Sequence, residues 1–257
     1  MSRFLIGADP EVFVGDPIPR SIIGKIGGSK DNPLPLPLGK GFSVQEDNVA
    51  LEFNIPPASS REEFIESIAR ATGFLEHIVK DQYGYSFLRE SAISFSEEEL
   101  NNPLAFVFGC DPDFNCWTNR RNPHPRSEDR NLRSAGGHVH IGVKKLPITE
   151  IIKGCDLVLG VPSNIMDSSG ARRRALYGKA GAYRKKAYGC EYRTLSNYWI
   201  FSKELTGWIH DGVARVLDMV ENKHDFDEDK ELILSSINKN DFKATQQLIE
   251  KHNLVVL

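Results

Sequence analysis

The sequence is poor in several things that would place it at once. Four cysteines in 257 residues (Cys110, Cys116, Cys155, Cys190), none in C-x-x-C spacing, exclude a disulfide scaffold and a zinc knuckle, and the expected compartment is a reducing cytoplasm. Apolar runs such as 105–108 and 157–161 are a few residues long, far short of the roughly 20 that a membrane-spanning helix needs. The first residues lead straight into a strand-like segment, so nothing reads as a signal peptide. Charge of one sign is missing too: 32 Lys and Arg against 35 Asp and Glu, a net charge of −3, argue against a dedicated nucleic-acid binder. A chain that is 40% hydrophobic and 26% charged can bury a proper core, and it reads as one domain over 1–257 with 222–257 as a helical C-terminal extension.

What is there begins with Ser134-Ala135-Gly136-Gly137-His138-Val139-His140-Ile141-Gly142-Val143. Val139, Ile141 and Val143 alternate with His138, His140 and Gly142, the strand period, so both imidazoles point the same way. Gly136 and Gly137 have no Cβ and would let a bulky ligand such as a nucleotide approach the backbone. A His-x-His pair also occurs as ordinary hydrogen-bonded residues on a half-exposed sheet face. Carboxylates from other segments have to decide between the two.

Residues 4–14 read as a strand bent at Pro10, which cannot donate to a ladder. Asp9 and Glu11 can then share a face and offer oxygens to one metal cluster, although Asp-Pro is also a common turn opening. Residues 17–41, crowded with proline and glycine, read as a long loop. The spacing predicts a second strand over 46–55, with Glu46, Asn48, Ala50, Glu52 and Asn54 on a polar face and Asp47, Val49, Leu51, Phe53 and Ile55 on a mostly apolar one; the wet side of an antiparallel sheet has the same pattern. Ser60 and Glu63 form a capping box for a helix whose stripe of Phe64, Ile65, Ile68, Leu75, Ile78 and Val79 should cover the dry face. Ser96 with Glu99 predicts a shorter helix. Residues 104–109 predict a third strand that runs into Gly109-Cys110-Asp111-Pro112-Asp113, an echo of residues 7–11. A helix is expected from Pro147 to about Leu159, ended by Pro162, another over 197–222, and two short amphipathic helices after Asp225.

Arg172, Arg173, Arg174, Lys179, Arg184, Lys185, Lys186 and Arg193 lie in one segment against a single acid, Glu191, and beside glycines. That pattern points to polyphosphate binding; a solvated basic face or an RNA contact has the same composition. Within 190–194 the alternation sets Glu191 and Arg193 together, a metal ligand beside a phosphate ligand.

Taken in order, Gly-Ala-Asp-Pro-Glu-Val-Phe-Val (7–14), Leu-Glu-Phe-Asn (51–54), Gly-His-Val-His (137–140) and Glu-Tyr-Arg (191–193) resemble the metal and ATP motifs of glutamine synthetase and glutamate-cysteine ligase. The strings GCDPDFNCW, SAGGHVHIG and LYGKAGAYRKKAYGCEYRTLSN are similar to the phage-type carboxylate-amine ligases of that superfamily, and together they span Phe4 to about Trp199. The resemblance implies an α+β fold, a large curved and mainly antiparallel sheet with helices packed on one face and the active site on the concave side. It further implies an ATP-dependent carbon-nitrogen ligase that forms an amide through an acyl phosphate, with two or three Mg²⁺ or Mn²⁺ ions. Its metal ligands would be Asp9 (where the family has glutamate), Glu11, Glu46, Glu52, His138 and Glu191. His138, His140, Gly136, Gly137, Arg173 and Lys186 would meet the nucleotide, and Arg193, Arg184 and Lys179 would neutralise the transferred phosphoryl group. The Asp111 and Asp113 pair, outside the shared motifs, could hold the protonated amine and take its proton, with Asn54 near the substrate. The partners are then a small carboxylic acid and an amine.

Two other readings stand beside this one. A guanidino-kinase-like phosphotransferase would share the metal and arginine sites. A nucleotide- or RNA-binding module without catalysis would use residues 172–186 as its contact surface. The gathered carboxylates Asp9, Glu11, Glu52 and Glu191 speak against the latter, because like charges on one face are costly without cations.

Overall fold

Pro10 divides the first extended run into two strands, β1 (Leu5–Ala8) and β2 (Glu11–Asp16), which enter different sheets. The computed structural model describes residues 3–106, 113–122, 128–174 and 176–257. The next strands are β3 (Ile18–Arg20), β4 (Leu34–Pro35), β5 (Ser43–Asp47), β6 (Ala50–Asn54), β7 (Ser86–Leu88) and β8 (Ala92–Ser94). They are followed by β9 (Phe114–Asn115), β10 (Arg120–Arg121), β11 (Leu132–Ser134), β12 (Val139–Gly142), β13 (Ala182–Lys186) and β14 (Gly189–Tyr192).

One sheet has the order β1-β12-β14-β13-β9-β10, the other β3-β2-β6-β5-β4 with β7 also on β2; β11 pairs only with β8. The strand pairs are antiparallel. Pairing continues across the bend, where Phe53 N donates to Pro10 O, Ile55 N to Ala8 O, and Ile6 bridges Ala58. The two sheets therefore curl into one half-barrel, an α+β fold with a curved antiparallel sheet as the resemblance implies.

The alternation decides what each face carries. Val139, Ile141, Cys190, Tyr192, Leu51 and Phe53 are fully buried beneath the helices, while their neighbours His138, His140, Glu52 and Asn54 face the concave cleft. Helix α1 (Arg61–Tyr83) opens at Ser60, whose hydroxyl accepts from Glu63 N, and buries Phe64, Ile68, Leu75 and Val79; Ile65 and Ile78 stay half-buried. Phe64 stacks on Trp199 at 5.8 Å. Burial of each such side chain is worth roughly 2 kcal/mol.

Several elements differ from the sequence expectation. Residues 46–55 are not one strand but the hairpin β5–β6, closed at Asn48, whose φ of 56° is in the left-handed region. Asparagine tolerates that region, and Asn48 Nδ2 is held by the Ala105 carbonyl at 2.7 Å. Ser96 caps only a turn, because the Glu99 carboxylate is drawn to Ser21 N and Arg20. Residues 103–106 form a 3-10 helix in place of the start of a strand, and 107–109 lie outside the described residues.

Pro162 does not end its helix. After α2 (Ile148–Cys155) comes a π-helical turn over Asp156–Gly160 and then α3 (Val161–Met166). Val161 N donates to Asp156 O, five residues back, and Pro162 occupies the first turn of α3, where its missing N–H is not needed. After α4 (Gly170–Arg174), the expected 197–222 helix is split in two. Asn197–Phe201 is a 3-10 turn, and Ser202, extended at φ −143°, caps α5 (Lys203–Glu221). The two predicted C-terminal helices are α6 (Lys230–Lys239) and α7 (Phe242–His252); Ile233, Ile237 and Leu248 join the main core. No helix of the described residues is long and apolar enough to cross a membrane.

Candidate active site

The concave face holds a cleft of about 430 Å³. β12 sends His138 and His140 into it from one side of the bend, and Asp9, at the bend itself, stands 3.4 Å from His138 Nδ1 and 3.0 Å from His140 Nε2. The register pairs His140 with Glu191 and Arg184 with Glu191, so β14 and β13 complete the group. One ligand atom each from Asp9, His138 and Glu191 lie within 4.8 Å of one another, and the same is true of Glu11, Asp47 and Glu52 on β2, β5 and β6.

Asp47 went unpredicted as a site residue. The single-strand reading put it on the apolar face, and the turn at Asn48 reverses that: Gln45 and Asp47 face the cleft with Glu52 and Asn54. Glu46, expected as a metal ligand, is on the opposite face. Its carboxylate accepts from the backbone N–H groups of Gly24, Lys25, Ile26 and Gly27 at 2.6 to 3.0 Å, and so pins the proline-rich loop. A serviceable signal was present, an Asn between two alternating segments.

The donor chemistry fits hard divalent cations, oxygens with one imidazole. Asp9 Oδ1 and Glu191 Oε2 are buried and accept no hydrogen bond, although His140 Nε2 and Lys186 Nζ stand 3.0 and 2.7 Å away as ion-pair partners. Burial pushes Asp47 up to about 6, helped by the charge of Glu11. Burial also raises Glu52 well above the usual carboxylate range, with Asp9, Glu11 and Asp47 adding to it. Both effects are what a cation would relieve. In the other triad burial works against ionisation but loses: the Arg193 charge holds Glu191 at about 2, and the His140 charge holds Asp9 well below its ordinary value.

Arg193 follows directly after β14 and is 4% exposed. Its Nε is 2.6 Å from Asp113, its Nη1 donates to Glu191, and His138 Nδ1 is 3.1 Å away. Asp113 is thus engaged by Arg193, with Arg184 Nε at 3.8 Å; Asp111 lies outside the described residues. Arg184, Lys186 and Lys30 line the cleft. The rest of the basic segment divides. Lys179 is exposed and lines neither the cleft nor the cavity described next; its carbonyl accepts from Ala182 N and Thr194 Oγ1. Arg172 and Lys185 are also exposed.

Arg173, expected at the nucleotide, instead lines a smaller cavity of about 60 Å³ on the other side of the cluster. Glu11, Asp47, His138 and Arg193 line both spaces and form their common wall.

Gly136 and Gly137 are needed for close approach, but of the chain to itself. A Cβ on Gly136 would sit 2.3 Å from His138 Nε2, and one on Gly137 2.3 Å from the Ser196 carbonyl. Gly136 N donates to Glu11 Oε2 and its carbonyl accepts from Glu11 N, which ties the histidine strand to the second triad. Beside the cleft, and sharing Asn54 and His140 with it, Leu5, Ile55, Pro57 and Tyr188 line an apolar recess of about 240 Å³. Tyr188 lies nearly parallel to His140, ring centres 6.0 Å apart, with its hydroxyl 2.5 Å from Nδ1.

No curated protein matches the chain. A family match covers 128–251 and differs in extent from the motif resemblance: it takes in the C-terminal helices and begins after Asp9, Glu11, Asp47 and Glu52. It carries His138, His140, Arg173, Arg184, Lys186, Glu191 and Arg193. Residues 128–251 are thus similar to the phage phiEco32-like COOH.NH2 ligases of type 2, a family named for joining a carboxylate to an amine.

Proposed function

We propose that the chain is an ATP-dependent carboxylate-amine ligase that works through an acyl phosphate, with Asp9, His138 and Glu191 holding one divalent cation and Glu11, Asp47 and Glu52 a second. The observation that carries this is the common wall: Asp9, His138, Glu11, Asp47, Glu52 and Arg193 border a cleft of about 430 Å³ rich in cationic groups, and Glu11, Asp47, His138 and Arg193 also border a small second cavity. The cleft suits a polyphosphate, since Lys30, Arg184 and Lys186 ring it. The apolar recess suits its base: Tyr188 and His140 present aromatic faces, and the Asn54 side chain can both donate to and accept from a purine edge.

Bound cations would neutralise the phosphates and the charge that spreads over the transferred group. The chain's own contribution is orientation. Asp113 and Glu191 fix the Arg193 guanidinium from two sides, so its charge meets the transferring phosphoryl group without reorganisation. An oxygen of the acid attacks the γ-phosphorus and ADP leaves. The amine nitrogen then attacks the acyl carbon, the C–O bond to phosphate breaks, and inorganic phosphate is released.

The test is a screen of acids and amines with Mg-ATP, reading phosphate release and product mass in the wild type, Glu11→Gln and Glu191→Gln. An amide of the summed mass, with turnover reduced more than about a hundredfold in both variants, is the expected result. A phosphorylated acceptor in place of an amide points to a phosphotransferase, and normal turnover in Glu11→Gln removes the metal assignment.

A further inference from the structure

The small cavity behind the common wall is lined on its far side by Phe13, Val49, Ala50 and Leu176, and Arg173 lines it too. Arg173 is 2% exposed. Its Nη1 and Nη2 are turned to the Thr194 and Arg193 carbonyls at 2.8 and 3.4 Å, while its Nε has no hydrogen-bond partner among the described residues. Among the described residues no salt bridge joins its guanidinium to a carboxylate, and the charges of Glu11 and Asp167 act on it without a hydrogen bond. A guanidinium buried to this degree ordinarily has a carboxylate for company. Here it has two carbonyls, a donor without a partner among the described residues, and a cavity in which Phe13, Val49, Ala50 and Leu176 face the charged groups Glu11, Asp47, Asp113, Arg133 and Arg193.

Size sets a second limit. At roughly 10 to 15 Å³ for each water-sized occupant, about 60 Å³ holds on the order of five non-hydrogen atoms. That is too little for a nucleotide or a peptide, and about right for a two- to four-carbon acid. Arg133 and Arg193 line the cavity beside Glu11, Asp47 and Asp113, so it is size that limits the ligand to a single carboxylate.

We propose that this cavity is the acid subsite and that it takes a short-chain monocarboxylate, one carboxylate oxygen held at Arg173 and the aliphatic end against Phe13, Val49, Ala50 and Leu176. The inference rests on the ligase reading above. It places the acid's carboxylate in the small cavity and the γ-phosphate in the cleft, where the two spaces adjoin at Glu11, Asp47, His138 and Arg193, so that these side chains flank the attacking oxygen and the phosphorus and do not separate them. Arg173 is a substrate-binding residue in this arrangement and has no part in holding ATP.

The experiment avoids the unknown amine. The full chain is incubated with Mg-ATP, hydroxylamine and a series of acids: acetate, propionate, butyrate, glycine, alanine, hexanoate, octanoate and glutarate. Hydroxylamine attacks the acyl carbon of an acyl phosphate, expels inorganic phosphate and leaves a hydroxamate that is measured directly. Hydroxamate should form from the two- to four-carbon acids at least about tenfold faster than from the longer ones or from glutarate. Arg173→Lys keeps a donor for the Thr194 carbonyl but loses the forked geometry, and should lower kcat/KM for the acid about tenfold or more while the KM for Mg-ATP stays within about twofold. Leu176→Ala enlarges the cavity without touching Arg173 and should move the preference one or two carbons longer.

Four outcomes overturn the assignment. Equal hydroxamate from octanoate or glutarate removes the size argument. Equal loss toward acid and Mg-ATP in Arg173→Lys makes Arg173 a strut for Arg193, and an unchanged chain-length profile in Leu176→Ala puts the acid elsewhere. No hydroxamate from any acid, with Mg-ATP still bound, overturns the ligase reading itself and the subsite with it.

Discussion

Asp47 offers a test in which stability and cation binding move in opposite directions. Burial and the Glu11 charge raise its carboxyl from 3.8 to about 6, a cost of about 3 kcal/mol for keeping it ionised; discounted for its partial contact with water, about 2 kcal/mol remains. The native pKa lies above the unfolded one, so the native state binds more protons. The stability Asp47 contributes is fully present below about pH 4 and is lost as pH rises through about 6. Asp47→Asn keeps the shape and removes the charge. In EDTA at pH 7.5 the variant should therefore be more stable than the wild type by about 2 kcal/mol in urea unfolding, and at pH 4 the difference should vanish. Millimolar Mg²⁺ should stabilise the wild type by RT ln(1 + [Mg²⁺]/Kd) and the variant much less, so that the gap closes or reverses. An Asp47→Asn protein that is less stable in EDTA, or that responds to Mg²⁺ as the wild type does, would refute both the charge argument and the second triad.

Three further outcomes follow from the same geometry. Glu46→Gln withdraws the charge that holds the four amides of residues 24–27 and should cost about 1–3 kcal/mol in unfolding, with the Mg²⁺ dependence unchanged; loss of that dependence would return Glu46 to the metal site. Burial raises Asp156 to about 7 against hydrogen bonds from Trp117, Tyr192 and Thr194. Wild-type stability should thus fall by up to about 4 kcal/mol from this group between pH 4 and 7.5; Asp156→Asn should show a flatter profile by that amount, and parallel profiles would count against it. Arg193→Lys should lower kcat about a hundredfold with little change in the KM for ATP, because a lysine cannot span Asp113 and Glu191; a rise in KM alone would make Arg193 a binding group.

Much of the local organisation could be read directly. The bend at Pro10, the Ser60 cap, the histidine alternation and the Glu191–Arg193 pair are short-range matters of φ restriction, capping and the two-residue strand period, and they lie in the structure as expected. The errors arose where one residue changed the count. Asn48 turns the chain back, so a period-2 assignment carried through it exchanged Glu46 for Asp47 at the site. The π turn at Asp156–Gly160 and the extended Ser202 likewise shifted helix boundaries that periodicity drew in one piece.

By itself the sequence determined which residue types could hold cations and phosphates, and which face of the histidine strand would be wet. Only the tertiary structure decided which of them meet. The basic residues of 172–193 are alike in composition, yet Arg184 and Lys186 reach the cleft, Lys179 faces water, and Arg173 is buried behind the site. The reason is that position is set by strand register and the curl of the sheet across Pro10, which bring Asp9 to His138 and Glu191, and Glu11 to Asp47 and Glu52, over separations along the chain that no local pattern encodes.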